Sequence, residues 1–113
     1  MRALIVGLAG LLLTAPVLAA TPYWANPFNA KLMKLGLADR NGALRRAITD
    51  NEQHCGRLSK SIYRGPYGNL GRWEAHCQPG GDFAIFAGPD GSVQVRSCKD
   101  LKDLKLPECG KLD

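Results

Sequence analysis

Between Arg72 and Cys98 the chain reads RWEAHCQPGGDFAIFAGPDGSVQVRSC, three short strand-like runs divided by two turn signals. From Arg72 to Cys77 the pattern alternates, with Trp73, Ala75 and Cys77 on one face and Arg72, Glu74 and His76 on the other, as in a strand with one side on a core. PGGD at residues 79–82 turns the chain into Phe83–Ala87, apolar throughout and suited to a central strand. GPDG at residues 88–91 is a hairpin signal, with Pro89 preset for the first turn position and Gly91 free to take positive φ. Residues 92–97 alternate again and put Val93 and Val95 inward. Such a stretch commits the chain to an antiparallel sheet, and the other segments must pack around it.

Upstream, Asp39 is a plausible N-cap and Gly56 stands where a left-handed C-cap would. Between them Leu44, Ala47, Ile48, Asn51 and Cys55 recur at helical spacing. Arg40, Arg45, Arg46 and Asp50 occupy the other sides. After Gly56 the period drops to two: Leu58, Lys60 and Ile62 fall on one side, as in an edge strand. GPYGNLG, residues 65–71, is expected as an irregular loop because three glycines and a proline fall in seven residues. Nearer the start, Asn26 is placed to cap a short helix with Pro27 at its first position and an apolar side of Leu32, Met33 and Leu35. Residues 99–105 read as one helical turn before Pro107. The expected fold is α+β: one main helix packed on a four-stranded antiparallel meander, stapled by disulfides.

The first residues, MRALIVGLAGLLLTAPVLAA, have Arg2 as their only charge, an apolar run and small residues at the end, the layout of a secretory signal peptide. Cleavage after Ala19 is preferred over Ala20. The expected organisation is a signal peptide over 1–19, an N-terminal arm with a short helix over 20–38, and one domain over 39–113. Nothing after the leader approaches the ~20 apolar residues of a spanning helix. The destination is therefore exported, periplasmic or extracellular. About 93 residues then remain, too few for a thick core, so crosslinks carry weight.

Four cysteines in an exported chain are most simply two disulfides. Three pairings exist. Cys55 and Cys77 both fall on core faces, whereas Cys98 lies on the outward side of its strand or just past it, so parity favours Cys55 with Cys77 and Cys98 with Cys109. The repeated dipeptides His54-Cys55 and His76-Cys77 suggest metal, but neighbours on a strand point to opposite faces and no closely spaced cysteine pair accompanies them. No CxxC supports redox catalysis, no nucleophile elbow accompanies the histidines, and no phosphate-cradling loop precedes a helix. The expectation is a non-catalytic protein without metal or cofactor.

Charge is uneven along the chain. The net value is +5, but residues 31–72 hold nine basic side chains against three acidic ones, and residues 73–113 hold five against seven. An anionic partner would meet the first half, through Arg45, Arg46, Arg57, Lys60 and Arg64, with Tyr67 the best placed exposed aromatic. The preferred reading is a binding module for an anionic envelope component or an envelope protein. The alternative is an inhibitor of a secreted peptidase or other hydrolase, presenting the 65–71 loop. Nucleic acid is not expected in this compartment.

Trp73, Ala75 and Cys77, then Asp90, Gly91 and Ser92, then Val95 and Cys98 spell W-x-A-x-C, D-G-S and V-x-x-C. In these motifs the chain resembles small uncharacterised exported bacterial proteins, which implies a helix-plus-sheet scaffold and assigns no site. The helix, strand, strand order with a D-G turn is also similar to PepSY-type domains, a family associated with restraining peptidases. This chain departs from them in its disulfides, and a shared layout does not carry function.

Overall fold

The computed structural model describes residues 25–112. The expected signal peptide and the start of the arm lie outside the described residues. Helix α1 spans Pro27–Lys34, helix α2 Leu37–Asp50, and the strands are β1 Leu58–Tyr67, β2 Leu70–Cys77, β3 Gly81–Ala87 and β4 Val93–Ser97, followed by a short 3-10 turn at Cys98–Asp100. The strands pair antiparallel in the order β1-β2-β3-β4. The two helices lie on one face of this meander, and the disulfides are Cys55–Cys77 and Cys98–Cys109.

Helix α1 begins as the Asn-Pro pair dictates. The Asn26 side chain accepts from Asn29 N–H at 2.9 Å, and Pro27 takes the first turn, where its missing N–H costs nothing. Asn26 Nδ2 also donates to the carbonyls of Asn69 and Ala87 at 2.9 and 2.8 Å, so the cap ties the helix to the sheet.

Helix α2 is shorter at its C-terminal end than its apolar spacing predicts. Asn51 N–H closes on the carbonyls of Ala47, Ile48 and Thr49, and Glu52 then takes φ 64°. The left-handed residue is thus Glu52 and not Gly56, and Cys55 reaches the core from a loop. Asn51, expected on the inner face, is exposed. Gly56 answers a different need, because a Cβ there would stand 2.5 Å from Pro79 Cδ.

Two corrections concern β1. A register shift between Leu58 and Lys60 breaks the expected alternation, so Leu58 faces the helices with Tyr63 and Trp73, while Ile62 faces away opposite Glu74. The glycine-rich 65–71 segment is also hairpin and not irregular loop. Gly65, at φ 103°, absorbs a second bulge, Pro66 pairs with Gly71 on an edge strand where its missing donor is tolerated, and Gly68, at φ 61°, opens a two-residue turn. The β3–β4 turn follows expectation. Asp90 accepts from the Ser92 hydroxyl at 2.7 Å and the Ser92 N–H at 3.0 Å, and these bonds hold its carboxyl below the usual range.

The main core lies between helices and sheet, built from Leu32, Leu44 and Ile48 against Trp73, Ala75, Phe83, Ile85 and Val95, with Cys55–Cys77 inside it. The opposite face of the sheet is not left to water as the alternation of β2 predicts. Ala84 and Phe86 project there and are covered by Leu101, with Leu70, Cys98, Leu106 and Cys109 around them. Glu74 points into this second layer and is fully buried. Its carboxylate accepts from Arg64 Nε at 2.7 Å, Arg72 Nη1 at 3.1 Å and Gly110 N–H at 2.9 Å, and Arg64 Nη2 donates to the Lys111 carbonyl at 2.8 Å. A buried carboxylate needs this number of donors to offset its lost hydration.

Gly71 shows how closely helix and sheet approach. A Cβ added there would lie 2.1 Å from Asn29 Oδ1. The same oxygen accepts from Trp73 Nε1 at 2.6 Å, so Asn29 is wedged between β2 backbone and indole. Gly71→Ala is therefore expected to push Asn29 off Trp73 and to destabilise the domain by about 2 kcal/mol, a typical figure for overpacking combined with a lost buried hydrogen bond. Urea unfolding followed by tryptophan fluorescence checks this, and an unchanged midpoint would refute the wedge.

Candidate functional site: a basic-rimmed apolar groove

The two helices do not fill the space over the end of the sheet where β3 and β4 meet. Helix α2 turns Ala43 and Ala47, four residues apart, toward the α1 side, and side chains this small leave a gap that longer ones would close. The result is a groove of about 330 Å³ whose walls are Phe28 and Leu32 from α1, Leu35 just past its end, and Ala43, Leu44 and Ala47 from α2. Ile85, Ala87 and Val93 form its floor, and Lys31, Arg46 and Asp50 stand at its rim. Among the described residues, neither Lys31 nor Arg46 forms a salt bridge or a side-chain hydrogen bond. Apolar walls with a few charges at the mouth are the usual make-up of a small-molecule site.

The six residues expected to bind a partner do not gather at one place. Arg46 alone reaches this groove. Arg45 Nε donates to the carbonyls of Cys55 and Gly56 at 3.0 and 3.2 Å, bracing the loop that carries the disulfide. Arg57 and Lys60 are exposed at the start of β1. Arg64 lies on the far side of the sheet, engaged with Glu74 and the C-terminal segment. Tyr67 sits by the hairpin tip, 40% exposed, with its ring 5.8 Å from that of Phe86. Lys31 joins Arg46 only because α1 packs beside α2, a contact between helices that neither the cap nor the apolar side of the short helix reports. The Ala43/Ala47 pair was the one visible sign of a gap.

A second, smaller cleft of about 140 Å³ opens beside Trp73, lined by Met33, Arg40, Ser61 and Tyr63. The Arg40 guanidinium lies 5.4 Å from the indole centroid and donates from Nη1 to the Leu35 carbonyl at 3.2 Å, while its Nε is buried without a partner among the described residues. Tyr63 packs on the same indole at 4.9 Å between centroids. Ser61 Oγ is already committed to Asn41 Oδ1 at 2.6 Å. This cluster fixes Trp73 from both sides.

The histidine-cysteine dipeptides resolve differently from a metal centre. Cys55 and Cys77 are bonded to each other, so neither offers a thiolate. His76 Nδ1 pairs with Asp82 Oδ1 at 2.5 Å, and Ser59 Oγ donates to the His76 carbonyl at 3.4 Å, directing that hydroxyl at backbone. Among the described residues no three His, Cys, Asp or Glu side chains come together as a ligand set.

Fold and groove together define the class: a small, disulfide-stapled α+β domain carrying an apolar, basic-rimmed groove between two helices and its sheet. No family model, no curated protein and no solved structure matches the chain. Among the described residues no helix is long and apolar enough to cross a membrane. The two disulfides suit an oxidising, exported environment.

Proposed function

We propose that the protein is a non-catalytic binding module of the cell envelope or the extracellular medium that takes an anionic partner on its helical side. The observation that carries this reading is the pairing of two cations without a salt bridge among the described residues, Lys31 on α1 and Arg46 on α2, at the mouth of an apolar groove. In the same half of the chain Arg64 and Arg72 are spent on Glu74 and Arg45 on two carbonyls, whereas Lys34, Arg57 and Lys60 are exposed and line neither groove nor cleft. Arg57 and Lys60, exposed at the start of β1, add to the field that draws an anion toward this half.

The test is cosedimentation of the oxidised protein with phosphatidylglycerol vesicles and with neutral phosphatidylcholine vesicles. Binding to the anionic vesicles alone is expected, falling several-fold between low and roughly 0.5 M salt as screening shortens the reach of surface charge. Lys31→Glu/Arg46→Glu is expected to weaken it more than Arg57→Glu/Lys60→Glu. Retention that ignores both salt and lipid charge would sink the reading.

A further inference from the structure

We propose that the groove between α1 and α2 is an acyl-chain site whose ligand is a single-chain fatty carboxylate, its tail on Phe28, Leu32, Leu44 and Ile85 and its head between Lys31 and Arg46. This narrows the anionic-partner reading, on which it rests, to one ligand chemistry. Among the described residues the walls and floor supply no side-chain hydrogen-bonding group. A sugar or a polar peptide seated there would lose hydration without compensation, whereas a hydrocarbon loses none worth keeping. The volume of about 330 Å³ is at the small end of the ~300–1,000 Å³ typical of ligand sites, which suits one chain and not a two-chain lipid.

Charge is confined to the mouth, where two cations face one carboxylate, Asp50, leaving a single net positive charge to complement a monoanion. Because Lys31 and Arg46 belong to different helices, a carboxylate held between them bridges α1 and α2. A path for the tail is also present. Leu35 lines the groove and is 37% exposed, so an apolar side chain stands between the surface and the site.

The experiment is calorimetric titration of the oxidised mature chain, residues 20–113, with dodecanoate below its micelle-forming concentration, alongside butyrate and dodecanol. Dodecanoate is expected to bind and butyrate not to. Lys31→Glu/Arg46→Glu is expected to weaken dodecanoate about tenfold, as loss of two exposed ion pairs plus repulsion implies, and to leave dodecanol unchanged. Ala47→Phe, which fills the groove, is expected to remove both ligands. Ala43→Leu narrows the same space by less and serves if the phenylalanine variant does not fold. Absence of dodecanoate binding, or binding that neither filling variant reduces, overturns the assignment. So does binding seen only after residues 20–24 are deleted, which would give the groove to the chain's own first residues. Salt-sensitive binding to phosphatidylglycerol vesicles without dodecanoate binding would remove the acyl site alone; loss of both would remove the anionic-partner reading with it.

Discussion

Glu74→Ala is expected to cost the domain about 3 kcal/mol, the lower end of the ~3–5 kcal/mol range for breaking a buried ion pair by removing one partner. The lower end applies because the arginines left behind keep some water: the side chains of Arg64 and Arg72 are 25% and 17% exposed, against none for Glu74. Three donors lose their acceptor at once, among them the Gly110 N–H that brings the C-terminal segment onto the sheet. Glu74→Gln keeps the shape and one acceptor oxygen but not the charge, and is expected to cost about half as much. Replacing all three side chains by Leu and Met should restore much of the loss, since apolar packing of similar volume commonly replaces such a cluster at little cost. Urea midpoints of the oxidised variants measure these effects. A Glu74→Ala change within about 0.5 kcal/mol of the parent, the range of ordinary surface substitutions, would show that the carboxylate is not the anchor it resembles.

Reduction of both disulfides is expected to unfold the chain at room temperature. Restricting the unfolded ensemble through loops of 22 and 11 residues is worth about 3 kcal/mol for each bond in the chain-entropy treatment, together comparable to the whole stability of a small domain. The two bonds differ in what goes with them. Cys55 and Cys77 are almost wholly buried in the main core, so Ser at both positions adds the cost of burying hydroxyls. Loss of Cys98–Cys109 instead loosens the cover over Phe86 and Ala84. The serine pair at 55 and 77 should therefore be the more damaging, by more than the ~0.6 kcal/mol that doubling a loop accounts for. Near-UV circular dichroism with and without reductant, and urea midpoints of the two double variants, check both statements. A reduced chain that still unfolds cooperatively at the parent midpoint would refute the first.

The sheet was legible because its signals are local. Strict alternation at residues 72–77, an all-apolar run at 83–87 and a Pro-Asp-Gly turn each determine conformation over a few residues; strand parity placed Cys77 inward and Cys98 outward, while the inward place of Cys55 followed from a helical spacing that in fact ends at Asp50. What alternation cannot report is the height of the layer on a strand's polar face. Glu74 looks solvent-facing because it shares its strand face with Arg72 and His76, yet its partners include Gly110 N–H, 36 residues later, and Arg64, whose other end meets Lys111. Bulges were hidden for a related reason. Gly65 carries the same composition signal whether it breaks a strand or bends one, and only the pairing of Pro66 with Gly71 decides for the strand. In the groove, Arg46 was visible as charge on a helix, but the space beside it is made by what Ala43 and Ala47 lack. Sequence patterns mark side chains that are present and are poor at marking vacancies between elements.

The carboxylate cluster under the sheet also bears on timing. All four strands are complete by Ser97, so a chain emerging N-terminus first carries the whole sheet before Gly110 and Lys111 arrive. Until residues 98–109 follow, Phe86 and Ala84 have only Leu70 and Tyr67 beside them, and until Gly110 follows Glu74 lacks one of its three donors. The nascent domain thus passes through an interval in which a finished sheet shows an apolar face to its surroundings, the kind of exposure that invites association with other chains. A stalled or shortened product ending before residue 98 would remain in that interval, so the segment from Cys98 to Lys111 is what closes the second face of the sheet.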